Sequence, residues 1–568
     1  MSPSTPSPEP TTAPYGSWAS PISTDLVLTG SVFLSQPLID GDAIYWIEGR
    51  AQEAGRNVIV RWTAAAGPED VTPASFNART RVHEYGGGDY TVSAGVVYFA
   101  NFADQRLYRQ RPGEPPEPLT PEAALRYADM QLDARRGRLL CVREDHREAG
   151  REAVNTLVAV PLGGGEQTVL VEGNNFYSTP RLSPDGGQLA WLTWNHPNMP
   201  WDGTELWLAD VAGDGSLSNQ RLVAGGVRES IYQPEWSPAG VLHFISDRTG
   251  WWNLYRLDEA GPEALHPLEA EFGQPQWGLA HSTYDFVSPE TIICAYIQKG
   301  EVTMARLDTV AGRLISLDLP YTLIYASYGH LRADDRQFVY LGGSPTEAPA
   351  IVRVDLATGG YSVLRRATDI RVEAGFLSIP RLVEFPTENG LTAYGYFYPP
   401  HNRDFVAPAG ELPPLIVTSH GGPTSATNAV LSLNRQYWTS RGFAILDVDY
   451  GGSTGYGRPY RERLNGNWGI VDVHDCINGA RWLVEQGVVD GDRLIIRGGS
   501  AGGYTTLCAI TFHDVFKAAA SHFGVSDVEA LAKDTHKFES RYLDSMIGPY
   551  PAQRERYVAR SPIHVADR

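Results

Sequence analysis

The stretch LIIRGGSAGGYTTL, residues 494–507, decides the fold of the second half of this chain. Its first three residues are apolar and predict a buried strand, its centre is a glycine-rich turn that contains Ser500, and a helical pattern follows. Such a turn needs glycines because its backbone is strained and other chain segments approach it closely. A serine held in a turn between a strand and a helix is typical of an enzyme nucleophile. We therefore predict that Ser500 is a nucleophile.

The pattern G-x-S-x-G occurs twice in the chain, and its context separates the two copies. The copy at residues 451–455, GGSTG, is followed by YGRP, which has the composition of a loop. After Ser500, apolar residues recur at Leu507 and Ile510, with the spacing of a helix packed on a sheet. We therefore predict Ser500 as the nucleophile of an α/β-hydrolase domain and Ser453 as a loop residue.

The composition is that of an acidic protein with several domains. The chain has 568 residues and a formal net charge of −19, so two or three hydrophobic cores are expected. Nucleic acids and anionic membranes select clustered positive charge, and we expect neither as a partner. The chain contains no apolar run of about 18 residues and no signal-peptide pattern at its start, which favours a cytoplasmic location.

The cysteines give no sign of a metal site or a disulfide framework. They lie far apart in apolar surroundings, without the spacing of zinc ligands. We interpret them as buried free thiols in a reducing compartment. The four are Cys141, Cys294, Cys476 and Cys508.

The first part of the chain repeats one pattern of strands. A polar turn, an apolar β-rich run and a second run recur seven times with a period of roughly 40 to 55 residues. A single unit of this kind cannot bury both faces, so we predict a seven-bladed β-propeller at residues 15–375, after a disordered tail at residues 1–14. Two β-sandwiches are the alternative. The units centre on residues 40–49, 93–101, 135–145, 183–194, 237–247, 288–298 and 334–343.

One motif in the propeller region resembles a functional site. It is RVHEYGGGDY, at residues 81–90. A zinc protease would need a second histidine four residues after His83, and none is present. The glycines fit a turn within a blade, so we predict a structural role for this motif.

The pattern changes near residue 376, where strands begin to alternate with helices. Residues 376–568 therefore predict a doubly wound sheet, whose ligands bind at the carboxyl ends of its strands. A strand at residues 415–419 leads directly into HGGP at residues 420–423. The backbone N–H groups of Gly422 and Ala501 are the expected oxyanion donors, since one follows that strand and the other follows the nucleophile.

Several long motifs, in order, give the chain a family resemblance. It resembles the acylaminoacyl-peptidase branch of the prolyl oligopeptidase family, from about Tyr15 onward. This resemblance implies a cofactor-free serine peptidase that acts on short peptides, with a propeller that restricts access to an enclosed site. We also expect a homo-oligomer. The motifs are HGGP, DYGGSTGYGRPYRERL (residues 449–464), the segment at residues 468–475, IRGGSAGGYTTL (residues 496–507) and THKFESRYLD (residues 535–544).

The chain departs from the family pattern at its end. Catalytic residues of α/β-hydrolases follow one another in the order Ser, Asp, His. Neither partner of Ser500 is found in its expected place, so we expect a truncated hydrolase domain whose Asp and His lie beyond residue 568. His513 has the position of a structural residue in the helix after Ser500. His522, at the end of the next strand, is an alternative base.

The sequence does not determine which substrate the protein cleaves. No Glu-Glu dipeptide occurs, which disfavours the amine site of related dipeptidyl peptidases. Arg541 is a candidate for binding the C-terminal carboxylate of a peptide, because arginine pairs with carboxylates. A carboxylesterase on the same fold and a non-enzymatic propeller scaffold are the competing hypotheses.

Overall fold

The chain forms two domains that pack against each other. The computed structural model describes residues 9–324 and 329–567. Seven antiparallel sheets, one per blade, form the predicted β-propeller, and a mixed six-stranded sheet forms the core of the α/β-hydrolase domain. The prediction of a seven-bladed propeller followed by an α/β-hydrolase is therefore confirmed, and the alternative of two β-sandwiches is wrong.

Each blade is built from strands that are consecutive in the chain. Every predicted repeat unit contains one central strand of a blade. Blades 1 to 4 contain Val32–Asp40, Ala43–Arg50, Arg56–Thr63 and Gly67–Asp70; Tyr90–Ser93, Val96–Ala100, Leu107–Gln110 and Glu117–Pro118; Leu125–Asp133, Arg138–Asp145, Val154–Pro161 and Thr168–Val171; Phe176–Leu182, Gln188–Trp194, Glu205–Val211 and Leu217–Gly225. Blades 5 to 7 contain Ile231–Trp236, Leu242–Ser246, Asn253–Asp258 and Gly261–Ala264; Tyr284–Ser288, Thr291–Gln298, Glu301–Asp308 and Arg313–Ser316; Thr322–Leu323, Leu331–Ala333, Gln337–Gly343, Ala350–Asp355 and Tyr361–Arg366.

Hydrogen bonds between inner strands hold neighbouring blades together. The inner strand of several blades contains a bulge, at which a side chain reaches the backbone of the next blade. The N–H of Thr179 donates to Asp129 Oδ2 at 2.7 Å, and the N–H of Thr283 donates to Gln233 Oε1 at 2.8 Å. These bonds satisfy buried polar groups near the central axis, where the blades lie closest together.

The hydrolase sheet brings the predicted site elements to one edge. Its two outer strands on one side are antiparallel to their neighbours, and the remaining four strands are parallel. The spatial order is Arg381–Pro386, Thr392–Tyr398, Ala444–Asp449, Leu415–Ser419, Leu494–Gly499 and Ala518–His522. The helices are α1 (Thr24–Leu28), α2 (Leu433–Thr439), α3 (Arg458–Arg461), α4 (Val471–Glu485), α5 (Ala501–Phe512), α6 (Val528–Lys533), α7 (Tyr542–Met546) and α8 (Arg554–Ala559). Among the described residues, no helix is both long enough and apolar enough to cross a membrane.

The segment before the propeller binds the hydrolase domain. Part of the predicted disordered tail, residues 1–8, lies outside the described residues. Within the rest, Thr11–Thr12 forms a parallel strand with Phe405–Val406, so the prediction of disorder is wrong there. The backbone of Gly16 then donates to Arg441 at 3.0 Å. The last propeller strand ends at Arg366, and we keep residue 376 as the proposed start of the hydrolase domain.

Candidate active site

Ser500 lies at a strained turn at the carboxyl edge of the hydrolase sheet. It joins the Leu494–Gly499 strand to α5 with φ 53° and ψ −118°, a backbone conformation that residues other than glycine rarely adopt. Its N–H donates to His522 O at 3.0 Å, and its C=O accepts from Tyr504 N at 3.0 Å. The turn therefore holds the Ser500 hydroxyl in an exposed position at the start of a helix.

Gly502 lets α5 pack closely against the end of the Leu415–Ser419 strand, which precedes the HGGP loop. A β-carbon at this position would lie 2.3 Å from Ser419 O and 3.1 Å from His420 O. Both atoms belong to the backbone, which cannot yield as a flexible side chain can. The small residue predicted from the sequence is thus required by a close approach between α5 and the neighbouring strand.

Replacing Gly502 by alanine is expected to lower both stability and activity. The added methyl group forces the end of the Leu415–Ser419 strand away from α5, and overpacking of this kind costs about 1–3 kcal/mol. Urea denaturation measures the free energy of unfolding. Gly213→Ala is the matched control, because nothing lies within 4 Å of a β-carbon built there. Equal stability of the two variants would contradict the predicted close approach.

The HGGP loop lies directly beside Ser500. A β-carbon built on Gly421 would be 3.6 Å from Ser500 Cβ. Among the described residues, neither Gly422 N–H nor Ala501 N–H has a hydrogen-bond acceptor. Gly422, Ser500 and Ala501 line the same cavity. Two residues that line the cavity beside the proposed nucleophile thus have backbone donors without an acceptor among the described residues.

His420 fixes the conformation of this loop. Its Nδ1 lies 2.8 Å from Gly421 O, and a carbonyl only accepts, so Nδ1 carries the proton. Its Nε2 then accepts a hydrogen bond from Ser453 Oγ at 2.7 Å. Burial lowers the pKa of His420 to about 4, so the ring is neutral near pH 7. Tyr450 stacks on it with ring centroids 4.4 Å apart.

This network explains why Gly422 N–H is free. The C=O and N–H of one trans peptide point in opposite directions. Because Gly421 C=O points toward the His420 ring, the N–H of Gly422 points in the opposite direction within that peptide plane, away from the ring. Ser453 is a loop residue, as predicted, but it is fully buried and holds His420 in place.

Both domains form the walls of the cavity around Ser500, whose volume is about 460 Å³. The propeller contributes Tyr85 and Trp277, and the hydrolase contributes Trp468 and Tyr542. Trp277 Nε1 donates to Thr424 O, just after the HGGP loop, at 2.7 Å. A larger cavity of about 1,050 Å³ is lined by Ser419 and His420 and shares Ala426 and Asn428 with the smaller one, but Ser500 does not line it. We therefore place the candidate site in the smaller cavity.

Glu539 is the one charged side chain among the described residues that line this cavity. Its carboxylate accepts a short hydrogen bond from the Tyr85 hydroxyl. His536 Nε2 lies 3.7 Å from its other oxygen. Burial raises the pKa of Tyr85, and the negative charge of Glu539 raises it further, so the phenol remains a donor.

Arg541 is not among the described residues that line this cavity, and its role in binding a carboxylate stays a prediction. It precedes α7, its side chain is 49% exposed, and its Nε donates to Asp544 Oδ2 at 2.7 Å. This pairing within one helical turn satisfies the guanidinium locally. Of the two histidines considered, His513 packs near His474 and His522 meets Ser500 only through its carbonyl. No imidazole among the described residues hydrogen-bonds the Ser500 hydroxyl.

The prediction from sequence missed Tyr85, Trp277 and Glu539. Tyr85 lies within RVHEYGGGDY, which we interpreted as a structural turn. Glu539 lies in THKFESRYLD, two residues before Arg541, which is the residue that the sequence favours for substrate binding. Two signals were thus present: an unusual glycine-rich run with an aromatic residue, and a carboxylate within a family motif. Neither indicated that the two segments meet.

The comparisons with known proteins agree with this architecture. The prolyl oligopeptidase family model matches residues 429–568. A solved structure of a puromycin-hydrolyzing peptidase from Mycobacterium tuberculosis is 43% identical, with a TM-score of 0.93, and the match covers 98% of this chain and 87% of that one. The chain belongs to the prolyl oligopeptidase family. The predicted family membership is therefore confirmed.

Curated relatives match over shorter stretches. Dipeptidyl aminopeptidase BIII of Pseudoxanthomonas mexicana is 30% identical over 38% of this chain and 31% of its own length. An acylamino-acid-releasing enzyme of Arabidopsis thaliana is 36% identical over 22% of this chain and 16% of its own length. The chain thus spans less than a third of the length of these two relatives.

Proposed function

We propose that this protein is a serine peptidase that cleaves short peptides and aminoacyl amides through an acyl-enzyme on Ser500. The observation that carries the proposal is the geometry of the elbow: an exposed serine hydroxyl lies beside two free backbone donors in one cavity. Ser500 Oγ attacks the carbonyl carbon of the substrate, and the oxygen that becomes negative binds the N–H groups of Ala501 and Gly422. A base takes the Ser500 proton and passes it to the amine nitrogen as the C–N bond breaks, and water then hydrolyses the acyl-enzyme and restores the Ser500 hydroxyl.

The reaction also needs a base for the Ser500 proton. A neutral imidazole is the usual base in this chemistry. His420 is unsuited to the role, because both of its ring nitrogens are already bonded and it is buried behind the oxyanion loop. In this fold the catalytic residues come in the order Ser, Asp, His along the chain, so we expect the base to be a histidine in the last of these positions.

The walls of the cavity favour substrates with a free amine next to a bulky apolar side chain. Tyr85, Trp277, Trp468 and Tyr542 supply aromatic surface. The carboxylate of Glu539 provides a negative charge for a protonated amine. An N-acylated substrate lacks that charge, and a site for a C-terminal carboxylate would require a cation. We therefore favour release of an amino-terminal residue over release of an acylated one.

The M. tuberculosis relative is described as hydrolysing puromycin. Puromycin is an aromatic aminoacyl amide with a free amine, and this chemistry fits the aromatic walls and the single carboxylate. We include such amides in the proposed substrate class. The propeller walls are proposed to limit substrate size, so that rates fall as peptides of the same amino-terminal residue are lengthened.

Replacing Glu539 by glutamine is expected to raise KM about 10- to 100-fold for substrates with a free amine. The side chain keeps its shape but loses the charge, and a hydrogen bond between charged groups is worth about 1.5–3 kcal/mol. The measurement compares phenylalanine p-nitroanilide with its N-acetyl derivative. Only the first substrate should be affected. Glu384→Gln, an exposed carboxylate on the outer strand of the hydrolase sheet, is the control. An equal rise in KM for both substrates would contradict amine recognition.

A further inference from the structure

The propeller loop that contains Tyr85 has an unusual backbone. Five of its six residues from His83 to Gly88 have positive φ, and two of them are not glycine: φ is 55° at His83 and 66° at Glu84. Left-handed conformations are unfavourable for residues with a β-carbon, so the surroundings must hold them. Tyr85 is the exception, with an ordinary backbone angle in the middle of this run.

Contacts with several blades hold the loop. The N–H of His83 donates to Glu144 Oε1 at 2.8 Å. Gly86 O accepts from Leu279 N at 2.9 Å. A β-carbon on Gly87 would lie 2.4 Å from Leu279 O, so the loop is pressed against a different blade. Its shape is therefore set by the propeller and does not depend on the hydrolase domain alone.

The aromatic neighbours of His83 extend this support across the domain interface. Its ring stacks on Phe538 with centroids 5.7 Å apart and meets the edges of Phe176 and Trp194 at 5.3 and 5.5 Å. Burial lowers the pKa of His83 to about 4, so the ring packs in its neutral form. Phe538 directly precedes Glu539, so this contact ties the strained loop to the hydrolase segment that contains the carboxylate.

The hydrolase segment is also anchored without help from Tyr85. Lys537 Nζ donates to Ala153 O and to Asn175 O of the propeller, at 2.8 Å each. Phe538 is buried. Residues on the amino-terminal side of Glu539 are thus fixed to the propeller by other contacts, and the bond between Tyr85 and Glu539 is not needed to join the domains. That bond instead lies within the cavity that contains Ser500.

Tyr85 can therefore determine where the carboxylate points. Its ring packs on Trp277 and Phe538, with centroids 5.2 and 5.8 Å away, which fixes the direction of the hydroxyl. The hydroxyl binds Glu539 Oε1, which leaves Oε2 available on the side where His536 lies 3.7 Å away. A free glutamate side chain would sample several rotamers, and this bond selects one of them.

We propose that Tyr85 is a positioning residue that orients the Glu539 carboxylate toward the amine of the substrate. The propeller then takes part in amino-terminal recognition through one strained loop, besides enclosing the site. This inference rests on the proposed function, in which Glu539 binds the amine. Tyr85 acts through Glu539 and makes no bond to the reacting atoms.

The test is Tyr85→Phe, which removes the hydroxyl and keeps the ring. KM for phenylalanine p-nitroanilide should rise about 5- to 20-fold, since one hydrogen bond to a charged group is lost. kcat should change less than twofold, and both constants should be unchanged for the N-acetyl substrate. In the Glu539→Gln background, the same substitution should have almost no further effect, because its target charge is absent. Tyr361→Phe, on the outer strand of blade 7, is the matched control.

Two results would overturn the inference. The first is a similar change in KM for the free-amine and N-acetyl substrates. The second is a full additional effect of Tyr85→Phe when Glu539 is already glutamine. A different result would overturn the proposed function, and the inference with it: wild-type protein that neither reacts with a fluorophosphonate at Ser500 nor cleaves either substrate.

Discussion

Replacing Ser500 by alanine is expected to lower kcat by about 10⁵- to 10⁶-fold, because the attacking oxygen is removed and catalytic groups of this kind act as a unit. The fold should survive, since the Ser500 side chain is exposed and the backbone bonds of the turn remain. Two measurements check the result: hydrolysis of phenylalanine p-nitroanilide, and labelling by a fluorophosphonate followed by mass spectrometry of the modified peptide. The label should be on the peptide that contains Ser500.

Ser362→Ala is the matched control for this experiment. Ser362 is an exposed serine on the outer strand of blade 7, and it does not line the cavity. Hydrolysis and labelling should match those of the wild-type protein. Undiminished hydrolysis by Ser500→Ala would rule out Ser500 as the nucleophile and would support a different reaction centre.

Replacing His420 by alanine is expected to lower kcat by about 10²- to 10³-fold, the usual effect of losing one oxyanion donor. Without the ring, Gly421 C=O loses its partner and the peptide that presents Gly422 N–H is free to turn. KM should change little, because that N–H acts mainly on charge that develops in the transition state. Steady-state kinetics on one substrate separates the two constants.

Two further variants test whether the loss of kcat comes from the contacts of His420. Ser453→Ala removes only the hydrogen bond to His420 Nε2 and should reduce kcat less, by about tenfold. His401→Ala, at an exposed histidine, should leave kcat unchanged. A kcat for His420→Ala within threefold of the wild-type value would show that the loop keeps its conformation without the imidazole.

Those features of the fold that depend on local pattern could be predicted from the sequence. The blades repeat with a steady period, and each contributes strands that are consecutive in the chain, so their pairing follows from sequence order. The elbow at Ser500 is also local: an apolar strand, glycines and a helix occur within 14 residues. Gly422 and Ala501 then follow from the order of strands in a parallel sheet.

The remaining site residues depend on docking between the domains, which no local pattern determines. Tyr85 and Glu539 are 454 positions apart in the chain and meet only because the propeller packs over the hydrolase sheet. Arg541 is outside the described lining of the cavity, and its guanidinium pairs with the nearby carboxylate of Asp544. Its role in binding a substrate carboxylate stays a prediction.

The segment ahead of the propeller also attaches the chain to the hydrolase domain close to the point where the chain returns from the propeller. Asn402 Nδ2 donates to Ala19 O at 2.8 Å and to Ser440 O at 2.7 Å, where the chain enters the propeller. Where the chain returns, Ser378 N donates to Gln436 Oε1 of α2 at 2.7 Å. The chain thus passes between the domains twice, and both connections are attached to α2 or to Ser440, just after its end. The two covalent connections between the domains are thus bound to one small region of the hydrolase domain, in addition to the ion pairs that Arg458 and Arg461 form with Asp247 of the propeller.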